Sequence, residues 1–125
     1  MKFYLIKLLT LSVCLMAPFS TFASGSYSYK LYFGLSKPDG GAVSSKEWEQ
    51  FQNETITKYF DGFNVADTVG FYKGESETSK VVTIISNQSE LYNIRSLAKE
   101  YNNKFKQESV MMIQQELYDF EFISN

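Results

Sequence analysis

Residues 29–51, YKLYFGLSKPDGGAVSSKEWEQF, commit the chain to a strand, a tight loop and a helix in immediate succession. Tyr29, Leu31, Phe33 and Leu35 alternate with Lys30, Tyr32, Gly34 and Ser36. That period of two puts the first set on one face of a strand over residues 29–36. Gly34, on the other face, leaves room for a close backbone approach or a bulge. In the run Lys37-Pro38-Asp39-Gly40-Gly41, Pro38 presets φ, Asp39 can bond its own downstream backbone, and the glycines allow positive φ. Ser44 is then the N-cap of a helix, with Glu47 completing a capping box and Val43 and Trp48 at the two positions of a hydrophobic staple. The helix is predicted to run to about Tyr59, with Trp48, Phe51, either Thr55 or Ile56, and Tyr59 inward, and with Gly62 as its C-terminal cap.

The remaining segments follow the same logic. Val65, Val69 and Phe71 mark a second strand over residues 64–72, and the polar run 73–79 reads as a hairpin connection. Residues 80–86, KVVTIIS, are apolar on both faces and β-branched, which suits a strand in the middle of a sheet. Asn87 and Glu90 stand in N-cap and N3 register for a second helix whose stripe is Leu91, Ile94, Leu97, Ala98, Tyr101 and Phe105. Arg95, the single arginine, is expected to pair with Glu90 or Glu100 on that helix. The chain then gives a strand over 109–113, a bend at 114–116, and an edge continuation over 117–123.

The order βαββαβ is the ferredoxin-like pattern, with two helices on one face of a four-stranded antiparallel sheet. Tyr32, Ala66, Tyr72, Val82, Ile84 and Met112 are the residues expected on the other face. So apolar a face needs cover, either from a second copy in a homodimer, from a small-molecule ligand, or from the C-terminal segment.

Residues 1–23 read as a secretory signal peptide. Lys2 and Lys7 open it, residues 8–16 form an apolar run too short for a bilayer span of ~20 residues, and Thr21-Phe22-Ala23 suits cleavage after Ala23. Residues 24–28 would then be a flexible lead-in, and 29–125 a single domain, periplasmic or secreted and free of the membrane after processing. Val13 stands before Cys14, where a lipidated cysteine follows Gly, Ala or Ser, so Cys14 is read as part of the apolar run. Cleavage therefore leaves no cysteine, no disulfide and no thiol chemistry. It also takes the formal charge from −2 to −4, with signs interspersed, which argues against nucleic acid.

The residues Leu31-Tyr32-Phe33-Gly34-Leu35-Ser36, the Asp39-Gly40-Gly41 turn with Val43 and Ser44, Trp48 with Phe51, and Gln107-Glu108-Ser109-Val110 together resemble a family of small exported bacterial proteins catalogued only as a domain of unknown function. The resemblance covers about residues 29–112. It implies a ferredoxin-like domain in a bacterial envelope or secreted location, and it supplies no catalytic residues. This chain departs from the family in a shorter hairpin after Tyr72 and a longer aromatic tail.

Candidate ligand-binding residues are Tyr32, Asp39, Trp48, Tyr72 and Glu108. Each has an ordinary structural role beside the functional one: Asp39 as a turn residue, Trp48 as staple and core, Glu108 as a solvated carboxylate. The sequence contains no histidine, so with no cysteine in the processed chain neither a zinc set nor a Ser-His-Asp or Cys-His scheme has its usual members. No metal and no cofactor is expected. Two readings follow: an exported binding or interaction module, and, as the alternative, a cofactor-free enzyme like the dimeric ferredoxin-like monooxygenases and isomerases.

Overall fold

The alternation in the opening stretch is realised in β1 (Ser26–Gly34), where Tyr29, Leu31 and Phe33 are wholly buried while Lys30 is exposed and Tyr32 half-buried. A computed structural model describes residues 25–125. The leader, its cleavage site and Cys14 lie outside the described residues. β1 begins at Ser26, earlier than the alternation suggests, because Tyr27 and Ser28 pair with Ser86 and Ile85 on one side and Glu116 and Gln115 on the other. Leu35 leaves the strand, its N–H donating to the Thr78 carbonyl at 3.1 Å and its carbonyl accepting from Val43 N–H at 2.7 Å.

Helix α1 spans 45–59: Ser45–Phe51 in α geometry, a wider π turn at Gln52–Ile56, and a last α turn at Thr57–Tyr59. Its start is as the sequence predicts. Glu47 N–H donates to the Ser44 hydroxyl (3.1 Å), Ser44 N–H donates to the Glu47 carboxylate (3.2 Å), and Val43 and Trp48 are both buried. The π turn coincides with the Thr57 hydroxyl donating to the Asn53 carbonyl at 2.7 Å, an intrusion into the backbone ladder. The extra residue lets Thr55 and Ile56 both face inward, where a regular helix would choose between them. The expected Gly62 cap is not used. Phe60 is already extended at φ −139° and ψ 128°, and its burial against the core ends the helix.

The polar run after Tyr72 is strand, not loop. β2 (Asn64–Tyr72) and β3 (Glu75–Ser86) meet through Lys73 and Gly74 alone, at φ 50° and 81°, the left-handed pair that tight hairpins demand. Nine consecutive cross-strand pairs follow, including an ion pair between Asp67 and Lys80. The hairpin therefore projects beyond the helices, which is why its polar composition resembles a loop.

Helix α2 (Leu91–Phe105) starts one residue after Glu90, without the Asn87 cap expected; no side chain caps it, and Glu90 N–H donates to the Tyr29 hydroxyl at 3.2 Å. Arg95 makes no ion pair among the described residues; Glu100 instead accepts from the Tyr59 hydroxyl. β4 (Met111–Leu117) is one unbroken strand paired to β1, so the predicted bend and continuation are absent, and Tyr118, Phe122 and Ile123 are exposed rather than covering the sheet.

The strands lie in the order β2-β3-β1-β4, all antiparallel, with both helices on one face: a ferredoxin-like arrangement. The pairing Leu31 with Val82 and Met112, and Tyr29 with Ile84, puts Val82, Ile84 and Met112 under the helices. This corrects three of the six residues expected on the outer face, whereas Tyr32, Ala66 and Tyr72 do lie there. That face carries Tyr32, Val81, Ala66 and Met111 in one row, and Lys30, Thr83, Asn64 and Ile113 in the next.

Candidate functional site

β1 turns away at Gly34, where the projecting β2–β3 hairpin rises beside it and the approach to β4 crosses its end. Between them is an open groove of about 800 Å³ on the helix-free side of the sheet, with Tyr32, Gly34, Tyr72, Glu77, Glu108 and Met111 among its walls. Two loops that the chain order alone leaves unconnected are joined here: the Gln107 side-chain amide donates to the Ser36 carbonyl at 2.9 Å.

The groove is acidic. Glu75, Glu77 and Glu108 line it, while the one lysine on its wall, Lys37, turns its ammonium to Glu47 (3.6 Å). Glu77 lies directly over β1. A methyl group at position 34 would come within 2.5 Å of its carboxylate oxygen, so glycine is what lets the carboxylate reach the strand. From the opposite side, the buried Tyr101 hydroxyl donates to the Gly34 carbonyl at 2.6 Å. Burial, with Glu77 and Glu47 nearby, pushes the Tyr101 phenol well above its usual range, so it stays a donor at any ordinary pH. Gly34 is thus fixed from below by Tyr101 and overlaid by Glu77. Tyr72 adds an exposed ring with the Lys73 ammonium 5.3 Å from its centroid.

Of the residues singled out by sequence, the groove gathers Tyr32, Tyr72 and Glu108. It does not gather the other two. Asp39 is exposed and accepts from Gly41 N–H at 3.0 Å, a turn residue. Trp48 is buried beside Phe33, Phe51 and Tyr101, with its indole N–H donating to Gln52 at 3.1 Å. Glu75 and Glu77 escape notice in the sequence because the hairpin reads as a loop; the Lys73-Gly74 pair followed by Glu75 and Glu77 alternating with Ser76 and Thr78 is the signal that would find them. Among the described residues no group of carboxylates converges closely enough to hold a metal ion, and no helix is long and apolar enough to cross a membrane.

A family profile described as "Protein of unknown function (DUF3574)" matches residues 28–120. No curated protein matches the sequence. Two solved structures are similar. A phage SAM lyase in complex with S-methyl-5'-thioadenosine is 23% identical with a TM-score of 0.56, over 74% of this chain and 81% of that one. A phage SAM lyase in the apo state is 22% identical with a TM-score of 0.56, over 80% and 87%. At that identity the likeness is one of fold.

Proposed function

The chain belongs to the DUF3574 family of unknown function, and from that premise we propose that its groove is the site of a cofactor-free enzyme acting on a small organic cation that carries an aromatic ring. The observation that carries the reading is the groove's own composition: Tyr32 and Met111 as surfaces for a flat ring beside Glu75, Glu77 and Glu108, three carboxylates against one wall lysine, Lys37, that is turned to Glu47, with the Lys73 ammonium at the rim over Tyr72. A neutral or anionic ligand has no use for three carboxylates. The fold shared with the phage SAM lyases supports the enzyme over the plain binding module and suggests the first substrate to try, because S-adenosylmethionine is a sulfonium with an adenine ring.

On such a substrate the bond from sulfur to the methionyl carbon chain breaks, and sulfur keeps the electron pair, becoming the neutral thioether of S-methyl-5'-thioadenosine. A lyase adds no water, so the departing four-carbon fragment supplies its own new bond, through its carboxylate or by losing a proton. Positive charge leaves sulfur along this path. Carboxylates that hold the cation therefore favour the bound substrate over the transition state, and their part is recognition. Rate acceleration has to come from holding the carbon chain in reactive geometry.

Export is part of the proposal, on the strength of the leader's charge, length and Ala23 ending; the groove would then work outside the cytoplasm. Titration of the processed protein with S-adenosylmethionine and S-methyl-5'-thioadenosine, with mass-spectrometric detection of released thioether, tests the function. We expect the cation to bind more tightly than the thioether, and Glu77→Gln to narrow that gap about tenfold. Binding without release would return the groove to a binding module, and absence of binding by either compound at millimolar concentration would overturn the reading.

A further inference from the structure

Residues 118–123, YDFEFI, leave the sheet at the end of β4 with no regular structure and no place in the core. Tyr118, Phe122 and Ile123 are 107%, 94% and 88% exposed, and the half-buried Phe120 meets Phe122 edge-on, ring centroids 6.1 Å apart. The pattern is that of a strand: Tyr118, Phe120 and Phe122 alternate with Asp119 and Glu121. So much aromatic surface on a free segment is costly to leave in water.

The opposite border of the sheet has the complementary defect. β2 is an edge strand of nine residues with an unbroken register, no proline and no lysine, and Asp67, its one charge, is tied to Lys80. Natural edges are protected by the devices that β2 lacks. Its outward side chains include Val69 at 58% and Phe71 at 76% exposure.

We propose that residues 118–123 of one copy add as a fifth strand to the free edge of β2 in a second copy, and that the exchange is reciprocal. Pairing within one chain is ruled out by geometry. Leu117 is held on β4, three strand spacings of about 4.8 Å from β2, so Tyr118 cannot lie beside its own β2. In the intermolecular pair, two of the three rings of Tyr118, Phe120 and Phe122 meet Val69 and Phe71 on the helix side and the third lies against Asp67, while Asp119 and Glu121 fall beside the small residues Thr68 and Gly70. Aromatic rings opposite β-branched residues are favourable cross-strand pairs. Each exchange would bury roughly 450–750 Å² in total, taking three aromatic side chains at about half their ~150–250 Å² with matching area on β2, so two exchanges, at roughly 900–1,500 Å², reach the lower range of a stable interface. The open sheet face is the weaker surface for a second copy. Lys30, Thr83 and Asn64 interrupt it, and Val82, Ile84 and Met112, which would have made it apolar, face the helices.

Sedimentation of the full processed chain at tens of micromolar tests this. We expect a dimer. Phe120→Ser combined with Phe122→Ser, and separately Val69→Lys, should each give a monomer with an unchanged far-ultraviolet circular dichroism spectrum. An equimolar mixture of those two proteins should recover a heterodimer, because one supplies the tail and the other the edge, with affinity at least tenfold below that of the reciprocal dimer. A monomeric parent protein overturns the proposal. So does a dimer that survives both changes but is broken by Ile85→Lys, which would assign the contact to the open face.

Discussion

The two faces of β1 obey different rules although they alternate along the same nine residues. Toward the helices, Tyr29, Leu31 and Phe33 are wholly enclosed, and Phe33 sits among Tyr101, Trp48 and Phe51 with ring centroids 4.8, 5.5 and 5.9 Å away. Toward the open side, Lys30 is solvated, Tyr32 is half covered, and Gly34 has no side chain at all. Packing fixes both the type and the shape of the residues on the first face. The second carries none of that load, so it is free to hold carboxylates and a groove.

Phe33→Ala separates the two faces most sharply. It removes the ring shared by three aromatic neighbours, and the rigid walls around it cannot fully close on the cavity. Loss of about 3–5 kcal/mol is expected, read as a lowered denaturant midpoint with unchanged slope. A loss below about 1 kcal/mol would mean that the aromatic cluster is not the support of the fold.

The same asymmetry explains what the sequence reveals. Periodicity finds the helix-side face because burial imposes it: the stripe Ile94, Leu97, Tyr101 and Phe105 is found as read. The order of the elements and the four-stranded antiparallel sheet follow from those stripes. Val82 and Ile84 are a different case, since β3 is apolar on both sides and only the register with Leu31 and Tyr29 decides which side the helices cover. The groove is harder still. Its glutamates lie on a hairpin that extends past the core, where no burial pattern distinguishes strand from loop, and the junction of Ser36 with Gln107 depends on a contact across 71 positions of sequence. Tyr32, Tyr72 and Glu108 could be chosen as residues, but not as neighbours.

The helix starts give a smaller contrast on the packed side. α1 begins under a reciprocal cap, whereas α2 begins without one and leans on Tyr29. Ser44→Ala should therefore cost about 1 kcal/mol, and a denaturation midpoint unchanged within error would mean that the staple alone fixes the helix start. Acidity reads the other half of the cap. The Ser44 N–H bond above all, then the Ser44 hydroxyl and lastly Lys37, hold the Glu47 carboxyl below its ordinary 4.5, against an opposing desolvation that is smaller than the N–H bond alone. A depressed folded value stabilises above the unfolded one and loses that stabilisation as pH falls through the folded one. The advantage of the parent protein over Glu47→Gln should be full above pH 4.5 and close steadily below it.

The smallest expected change in stability is the most informative about the open face. Gly34 has no positive φ, so alanine fits its backbone, and restricting the unfolded chain favours the substitution by about 0.4–1 kcal/mol. Against that, the new methyl group would stand 2.5 Å from the Glu77 carboxylate. That obstacle is the tip of a flexible side chain, so Glu77 swings away at little cost. The Tyr101 hydroxyl still donates to the carbonyl of residue 34 from below, because residue 34 takes part in that hydrogen bond through its backbone only. Net stability of Gly34→Ala should stay within about 0.5 kcal/mol of the parent. Selectivity for a cation should nevertheless fall as far as in Glu77→Gln, since both changes take the carboxylate off the groove floor. If Gly34→Ala instead unfolds the protein, the space over β1 belongs to packing after all; if it leaves cation binding intact, Glu77 does not recognise the ligand from that position.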